Sequence, residues 1–456
     1  MPKTDMFGYE ITVSNEQGAR AWSGLIRAFL SHSDEAPALL KATIDADPDF
    51  ALAHTAKGLF FMLAGRAEMV EAAREAHRDA VNARGRAGMT AREAGYLEAL
   101  ELWLDGRMRA AADKLDATLA AYPRDALALK LAHAVYFMLG AARDMRRSIE
   151  AVLSAHDDTM PMTGYVHGCH SFTLEETGDY RAAEIAGKKA LLLARDDAWA
   201  LHAVAHVYDM TGRAEDGVKW IEKRPESWAH CNNFRYHVWW HKALFHLDLG
   251  EVDEVLALYD HEIRSDKTDD YRDISNAASL LCRLELEDVD VGPRWEELAD
   301  MCERRTDDTC VVFADMHYLL ALLGDNRENA AARLVRSVRA AGKRHRGDMD
   351  DVAATAGAPL GDGLTAFRDG HYDLAYRQLG RGCRSLKLIG GSHAQRDVFE
   401  RVHVEAAIRA GRLNEARSLL HERVTKRGRE DGYTARRLAF IDRAERVSPG
   451  PVQAWA

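Results

Sequence analysis

Nine of the 20 histidines fall between His167 and His261, and four of these nine stand in two HxxxH pairs. Imidazole titrates nearest neutrality of all side chains and is the commonest nitrogen donor to transition metals. In DDAWALHAVAHVYDM, residues 196–210, Leu201, Val204, Ala205 and Tyr208 recur at helical spacing as an apolar stripe. His202, His206 and Asp209 then share the other face, because residues three and four apart on a helix are neighbours. In NNFRYHVWWHKALFHLDLG, residues 232–250, His237 and His241 repeat the geometry one hairpin later. If the two faces converge, His202, His206, His237 and His241 are candidate ligands for a divalent metal such as zinc, with Asp209 or Glu176 completing a mononuclear site. Without metal, the same four histidines and Glu176 are candidate acid–base catalysts.

A structural role competes with both. Chance alone supplies about one HxxxH pair in a chain this rich in histidine, so placement rather than count singles these out. His246, on the packing stripe, reads as core. His133 and His317 each lie seven residues before a hairpin glycine, Gly140 and Gly324, where the repeat elsewhere carries Ala205 or Ala243. A ring there is expected to be buried and satisfied by a partner, or else to widen the hairpin into a pocket. Trp199, Trp239 and Trp240 flank the histidines, either as packing or as an aromatic wall for a ligand. Cys169, between His167 and His170, reads as a packed thiol.

A second unusual stretch is LKLIGGSHAQRDVFERV, from 386. Gly390 and Gly391 form a turn, Ser392 is a helix N-cap, and Gln395 stands where a capping box places its return partner. The functional alternative is that the exposed amides of this helix start, with Arg396, hold a carboxylate or phosphate. No glycine pattern matches a nucleotide-binding loop, and no GxSxG, HExxH or paired CxxC occurs.

What positions these residues is a repeat. An apolar helix ending in Gly, a turn and a second helix opened by charged residues and Ala recur at FFMLAGRAEMVEAA (60), LWLDGRMRAAADKL (102), VYDMTGRAEDGVKW (207), LFHLDLGEVDEVLAL (244) and EAAIRAGRLNEARSLL (405). Gly65, Gly106, Gly178, Gly212, Gly250, Gly370 and Gly411 mark the reversals, where positive φ suits Gly. Spacings of 34 residues (178 to 212) and 38 (212 to 250) fall in the range of tetratricopeptide hairpins. The spacing predicts an all-α, right-handed superhelix, an α-solenoid of about ten such hairpins. Residues 1–48 are expected as N-terminal capping helices, 49–425 as repeats and 426–456 as a C-terminal cap. The first helix of each hairpin should line the concave surface.

Apolar residues make up 47% and charged residues 29% of the chain, enough for a long core. A net charge of -11 with interleaved signs leaves no basic face for nucleic acid. No apolar run approaches a membrane span or an export signal. Six scattered cysteines fit a reduced compartment, so a cytoplasmic location is expected.

Several strings together resemble the tetratricopeptide repeat protein 38 family: LALKLAHAVYFMLG at 127, YVHGCHSFTLEETGDYRAAE at 165, DAWALHAVAHVYDM at 197, YHVWWHKALFHLDLGE at 236, DVDVGPRWEEL at 288, FADMHYLLALLG at 313 and LIGGSHAQRDVF at 388. The similarity runs over nearly the whole chain and implies a tetratricopeptide-like helical fold, with no settled activity to carry over. On this resemblance His133, Glu176, His202, His206, His237, His241, Asp315, His317, Gln395, Arg396 and Asp397 fall on residues typical of the family. His167 and His170 do not, and Asp209 stands where the family can have Glu. Asp209, Trp240, Asp315, His317, Gln395, Arg396, Asp397 and His133 form the candidate ligand-binding set.

The first expectation for function is therefore a protein that binds a small molecule or short peptide in a His-rich groove. The second is a metal-assisted or acid–base enzyme, a hydrolase, using the same histidines. The third is a passive scaffold for protein partners. Self-association stays open.

Overall fold

The computed structural model describes residues 3–447; the last nine residues of the expected C-terminal cap, 448–456, lie outside the described residues. The described residues are all-α apart from a two-residue antiparallel pairing of Lys3–Thr4 with Glu10–Ile11 and a single antiparallel bridge between Ser33 and Cys231, features the sequence did not announce. Helices Glu16–Leu30 and Ala36–Ala46 come first, ten antiparallel hairpins run from Ala51 to Arg427, and helix Gly432–Val447 follows. The architecture is the tetratricopeptide-like solenoid that the glycine spacing predicts.

Two local devices build each hairpin. All seven predicted hinge glycines have positive φ, as at Gly250 (φ 80°), where the helix C-cap is left-handed. Aspartates open several first helices: Asp125 and Asp197 each accept a hydrogen bond at 3.1 Å from the backbone N–H three residues on. Between these ends, Leu201, Val204, Ala205 and Tyr208 pack with Trp220, Ile221 and Phe245, as the apolar stripe requires.

The coil then meets itself. Asn232 N–H donates to His32 O at 2.9 Å, Arg66 to Asp269 O at 2.8 Å, and Asp348 N–H to Gly106 O at 3.0 Å. Arg427 pairs with Asp209 at 2.8 Å, and Gly432 N–H donates to Asp248 at 2.7 Å. Most of these contacts join a hairpin to one six or seven hairpins further on, so one turn of the superhelix rests on the next. Gly140 shows how tight the contact is: φ is 61°, and a Cβ there would come to 1.6 Å of Lys387 O. The concave face is thereby closed rather than presented as an open track.

Candidate metal centre

Helices Ala198–Met210 and Phe234–Leu249 open successive hairpins and turn the same face inward. Their four histidines converge by one atom each. His206 Nε2 lies 2.8 Å from His202 Nε2, His202 Nε2 lies 3.0 Å from His237 Nε2, and His237 Nε2 lies 3.2 Å from His241 Nε2. His202, His206 and His241 are buried, whereas His237 is partly open toward a cavity.

Burial first, and then the neighbouring imidazoles, hold His202 and His241 well below the usual imidazole range. Burial likewise pulls His206 down to about 4 and His237 to about 3. All four rings are neutral at pH 7 and so offer nitrogen lone pairs.

Proton bookkeeping shows what that means. A neutral imidazole nitrogen either donates one proton or offers one lone pair. His237 Nδ1 stands 3.0 Å from Asn276 Oδ1, an acceptor, which puts the His237 proton on Nδ1 and a lone pair on Nε2. Four such nitrogens can pair into two N–H···N bonds and no more, yet three close contacts are present, with His202 and His237 each in two of them. One contact is left without a proton of its own. A cation at the centre removes the conflict by accepting all four lone pairs, and imidazole nitrogens at this spacing suit zinc, copper, nickel or iron.

The surroundings supply an outer shell. Asn276 fixes the His237 tautomer, and Trp240 stacks on the His237 ring at 5.2 Å. Glu175 Oε2 lies 3.6 Å from His206 Nδ1, and Glu175, Glu176 and His206 themselves form a compact buried group. Burial and the adjacent Glu176 push the Glu175 carboxyl well above its ordinary range. Burial would raise Glu176 too, but His393 and Arg396 hold it below the usual range.

The expected carboxylates thus sit differently from the sequence reading. Asp209 is turned to Arg427, one helical turn beyond the quartet, and does not join it. Glu176 accepts from the His393 backbone N–H at 2.7 Å and from Arg396 at 3.2 Å. The anion held at the start of helix His393–Arg409 is therefore this internal carboxylate, and Arg396, bonded also to Gly391 O, is not free for an external one. Glu175, which the sequence reading passed over for its neighbour, takes the position beside the imidazoles. Its only signal was a second carboxylate beside Glu176 at the end of helix Thr163–Glu176, which is buried at every position except His170.

A cavity of about 210 Å³ adjoins the quartet, lined by His202, His237, His133 and Gln395 among the predicted residues, and by Lys130 and His32, which were not predicted. His133 is buried with both ring nitrogens unpartnered, contrary to the expected satisfied ring; it packs edge-on against Phe172 and Trp199. Gln395 completes the capping box with Ser392 as expected.

The rest of the predicted set lies elsewhere. His317 donates from Nδ1 to Phe313 O at 2.7 Å and packs against Phe399, and Asp315 is buried on the same helix. Neither lines the cavity. Asp397 is enclosed by Arg401, Arg423 and Arg283. Trp240 backs His237 without reaching the cavity, and His246 is core, bonded to Glu251 at 2.5 Å. Burial pushes the Cys169 thiol up to about 11, so it is inert.

No family model matches the chain. Among solved structures, yeast Tom70 aligns at 13% identity with a TM-score of 0.38, over 95% of this chain and 90% of that one. A human IFIT1 dimer with m7Gppp-AAAA aligns at 14% identity and a TM-score of 0.36, over 97% of each chain. Overlaps this loose carry no argument about function, and the architecture rests on the chain's own hairpins. No helix among the described residues is long and apolar enough to cross a membrane.

Proposed function

We propose that this chain is a metal-binding helical-repeat protein whose single divalent transition-metal ion, held by His202, His206, His237 and His241, faces a cavity that admits a small molecule. The observation that carries the reading is the convergence of four neutral, buried imidazole nitrogens whose close contacts outnumber the hydrogen bonds they can form. Closure of the coil favours a small molecule over a peptide, because a cavity of about 210 Å³ replaces the open groove. His202 and His237 lie on both the quartet and the cavity wall, so a ligand in the cavity would approach the ion directly and be polarised by it. The motif resemblance supports placing the chain in the tetratricopeptide repeat protein 38 family, and the free cysteines support a reduced, cytoplasmic setting.

A metal-free acid–base site is the second reading, favoured by one observation: Glu175, whose carboxyl burial raises well above its ordinary range, lies 3.6 Å from His206 Nδ1. Elemental mass spectrometry on untagged protein, purified without chelator, separates the two. About one metal per chain, absent from a His202→Ala/His206→Ala variant, is expected. A parent protein that stays metal-free even after dialysis against zinc, copper, nickel and iron would leave only the acid–base reading.

A further inference from the structure

Lys130 stands on helix Ala126–Met138 with 5% of its surface exposed, and it lines the cavity. No described carboxylate oxygen lies within 4.0 Å of its Nζ. Its partners are the ring of Trp199, 4.1 Å to the centroid, and the Cys169 sulfur at 3.8 Å, which burial keeps as a neutral thiol. The Asp197 carboxyl is near enough to feel the Lys130 charge but lies beyond ion-pair distance, and a buried ammonium without a contact ion pair is costly.

The other charges on the same wall are answered. Arg272 is gripped by both oxygens of Asp270, and Asp273 is bonded by Thr268 and Asn233. Three further polar groups on the lining lack partners: both nitrogens of His133, Trp199 Nε1 and His32 Nε2. His32 is held at a φ of 58°, a strained conformation for a side-chain-bearing residue. Its ring lies between Phe234, at 4.5 Å, and Trp199, at 5.7 Å. Phe29, Phe137 and Phe313 complete a mainly aromatic wall.

We infer that the cavity takes a small monocarboxylate with a flat, apolar body, its carboxylate held by Lys130 and its body stacked among Trp199, Phe234 and Phe137. The inference rests on the reading of this cavity as a ligand site and not on which metal fills the quartet. The charge matches: Lys130 has no contact ion pair among the described residues, and Asp197, which feels its charge from farther off, does not line the cavity, so a carboxylate in the cavity would be the direct partner of Nζ. The size also matches, since a cavity of about 150 Å³ suffices for benzene, and this one leaves room for a carboxylate as well.

The test is calorimetric titration of the full chain with phenylacetate and with phenylacetamide, which has the same shape without the charge. The parent is expected to bind the acid at least about tenfold more tightly than the amide, the worth of one charge-assisted hydrogen bond in a dry site. Lys130→Met should abolish that preference and Lys130→Arg should keep it. Equal affinity for acid and amide in the parent, no binding of the acid, or a preference that survives Lys130→Met would each overturn the inference. Elemental analysis of the same samples keeps the two readings apart. A metal-free parent that still prefers the acid leaves the carboxylate site standing and removes the metal; a metal-loaded parent that does not discriminate does the reverse.

Discussion

His202 and His237 bring their Nε2 atoms to 3.0 Å across the seam between two successive hairpins. They are 35 residues apart, and the same step separates His206 from His241. The hinges of these two hairpins, Gly212 and Gly250, are 38 residues apart, so the second imidazole pair sits three residues earlier in its hairpin, close to one helical turn, and stacking of the two first helices brings the pairs face to face. No loop has to be ordered to assemble it. The donors sit on packed helices with their rings fixed between Phe172, Trp199, Phe234 and Trp240.

Glu175 makes a prediction with two opposite signs. Neither of its oxygens has a hydrogen-bond partner among the described residues, and both are buried beside His206. Replacing it by leucine removes an unsatisfied polar group and should stabilise the metal-free protein by about 1–3 kcal/mol. The same change removes the carboxylate that would take the His206 Nδ1 proton once Nε2 binds metal, and metal affinity should fall about 10–100-fold. Chelator competition and thermal melts of the metal-free form measure the two effects. Unchanged metal affinity would reduce Glu175 to a packing residue.

The helical hairpins and the two imidazole pairs were legible in the sequence because both obey short-range rules: glycine at a left-handed hinge, and side chains four apart on one face. What the sequence could not supply was the contact between turns of the coil. Glu176 and Arg396 are 220 residues apart, and Asp209 and Arg427 are 218 apart, so nothing local revealed that these charges were already committed to each other. The cavity is equally a long-range product, since His32, Lys130, Phe234 and Gln395 meet only when the superhelix closes. A single clue to it was present: Lys130 lies inside the apolar run LALKLAHAVYFM, three positions before His133.

Glu176 fastens that closure. It accepts from the His393 N–H and from Arg396, and both side chains of the pair are nearly enclosed. Glu176→Ala would leave the Arg396 guanidinium buried without its counter-ion, a loss of about 3–5 kcal/mol. A marked drop in denaturation midpoint is expected, with metal stoichiometry unchanged because the imidazoles remain. Loss of metal with little loss of stability would instead make Glu176 a ligand.

Asp315 gives a prediction in alkaline pH. It is 1% exposed, has no described cationic partner, and burial pushes its carboxyl up to about 8 from an ordinary 3.8. Between those values the folded chain holds a proton that the unfolded chain releases, so this group's contribution is full below pH 4 and is lost as pH rises through 8. Asp315→Asn keeps the shape without the charge. The variant should match the parent near pH 4 and exceed it by a few degrees in Tm at pH 8.5. Identical pH profiles would show that Asp315 is ionised and solvated in the native protein.

The histidine quartet predicts the opposite limb. His237 and His206 titrate near 3 and 4 in the folded chain against 6.5 when free, so on acidification the unfolded chain takes up protons that the folded chain refuses. Their contribution is full above pH 6.5 and is lost as pH falls toward 3. Zinc binds only the deprotonated nitrogens, and at about 100 times its dissociation constant it adds about 2.7 kcal/mol. Zinc should therefore raise the melting temperature of the chelator-treated protein at pH 7.5 and still do so at pH 5, where the folded rings stay neutral, and the response should fade only as pH falls toward 3. A variant with alanine at His202, His206, His237 and His241 should show no zinc response and a shallower acid limb. His32, His133, His317 and His403 are also held below the ordinary range by burial, and they remain in that variant. An acid limb as steep as the parent's would therefore assign the acid sensitivity to the remaining buried rings rather than to the quartet. A zinc response that survived in the same variant would place the metal outside the quartet.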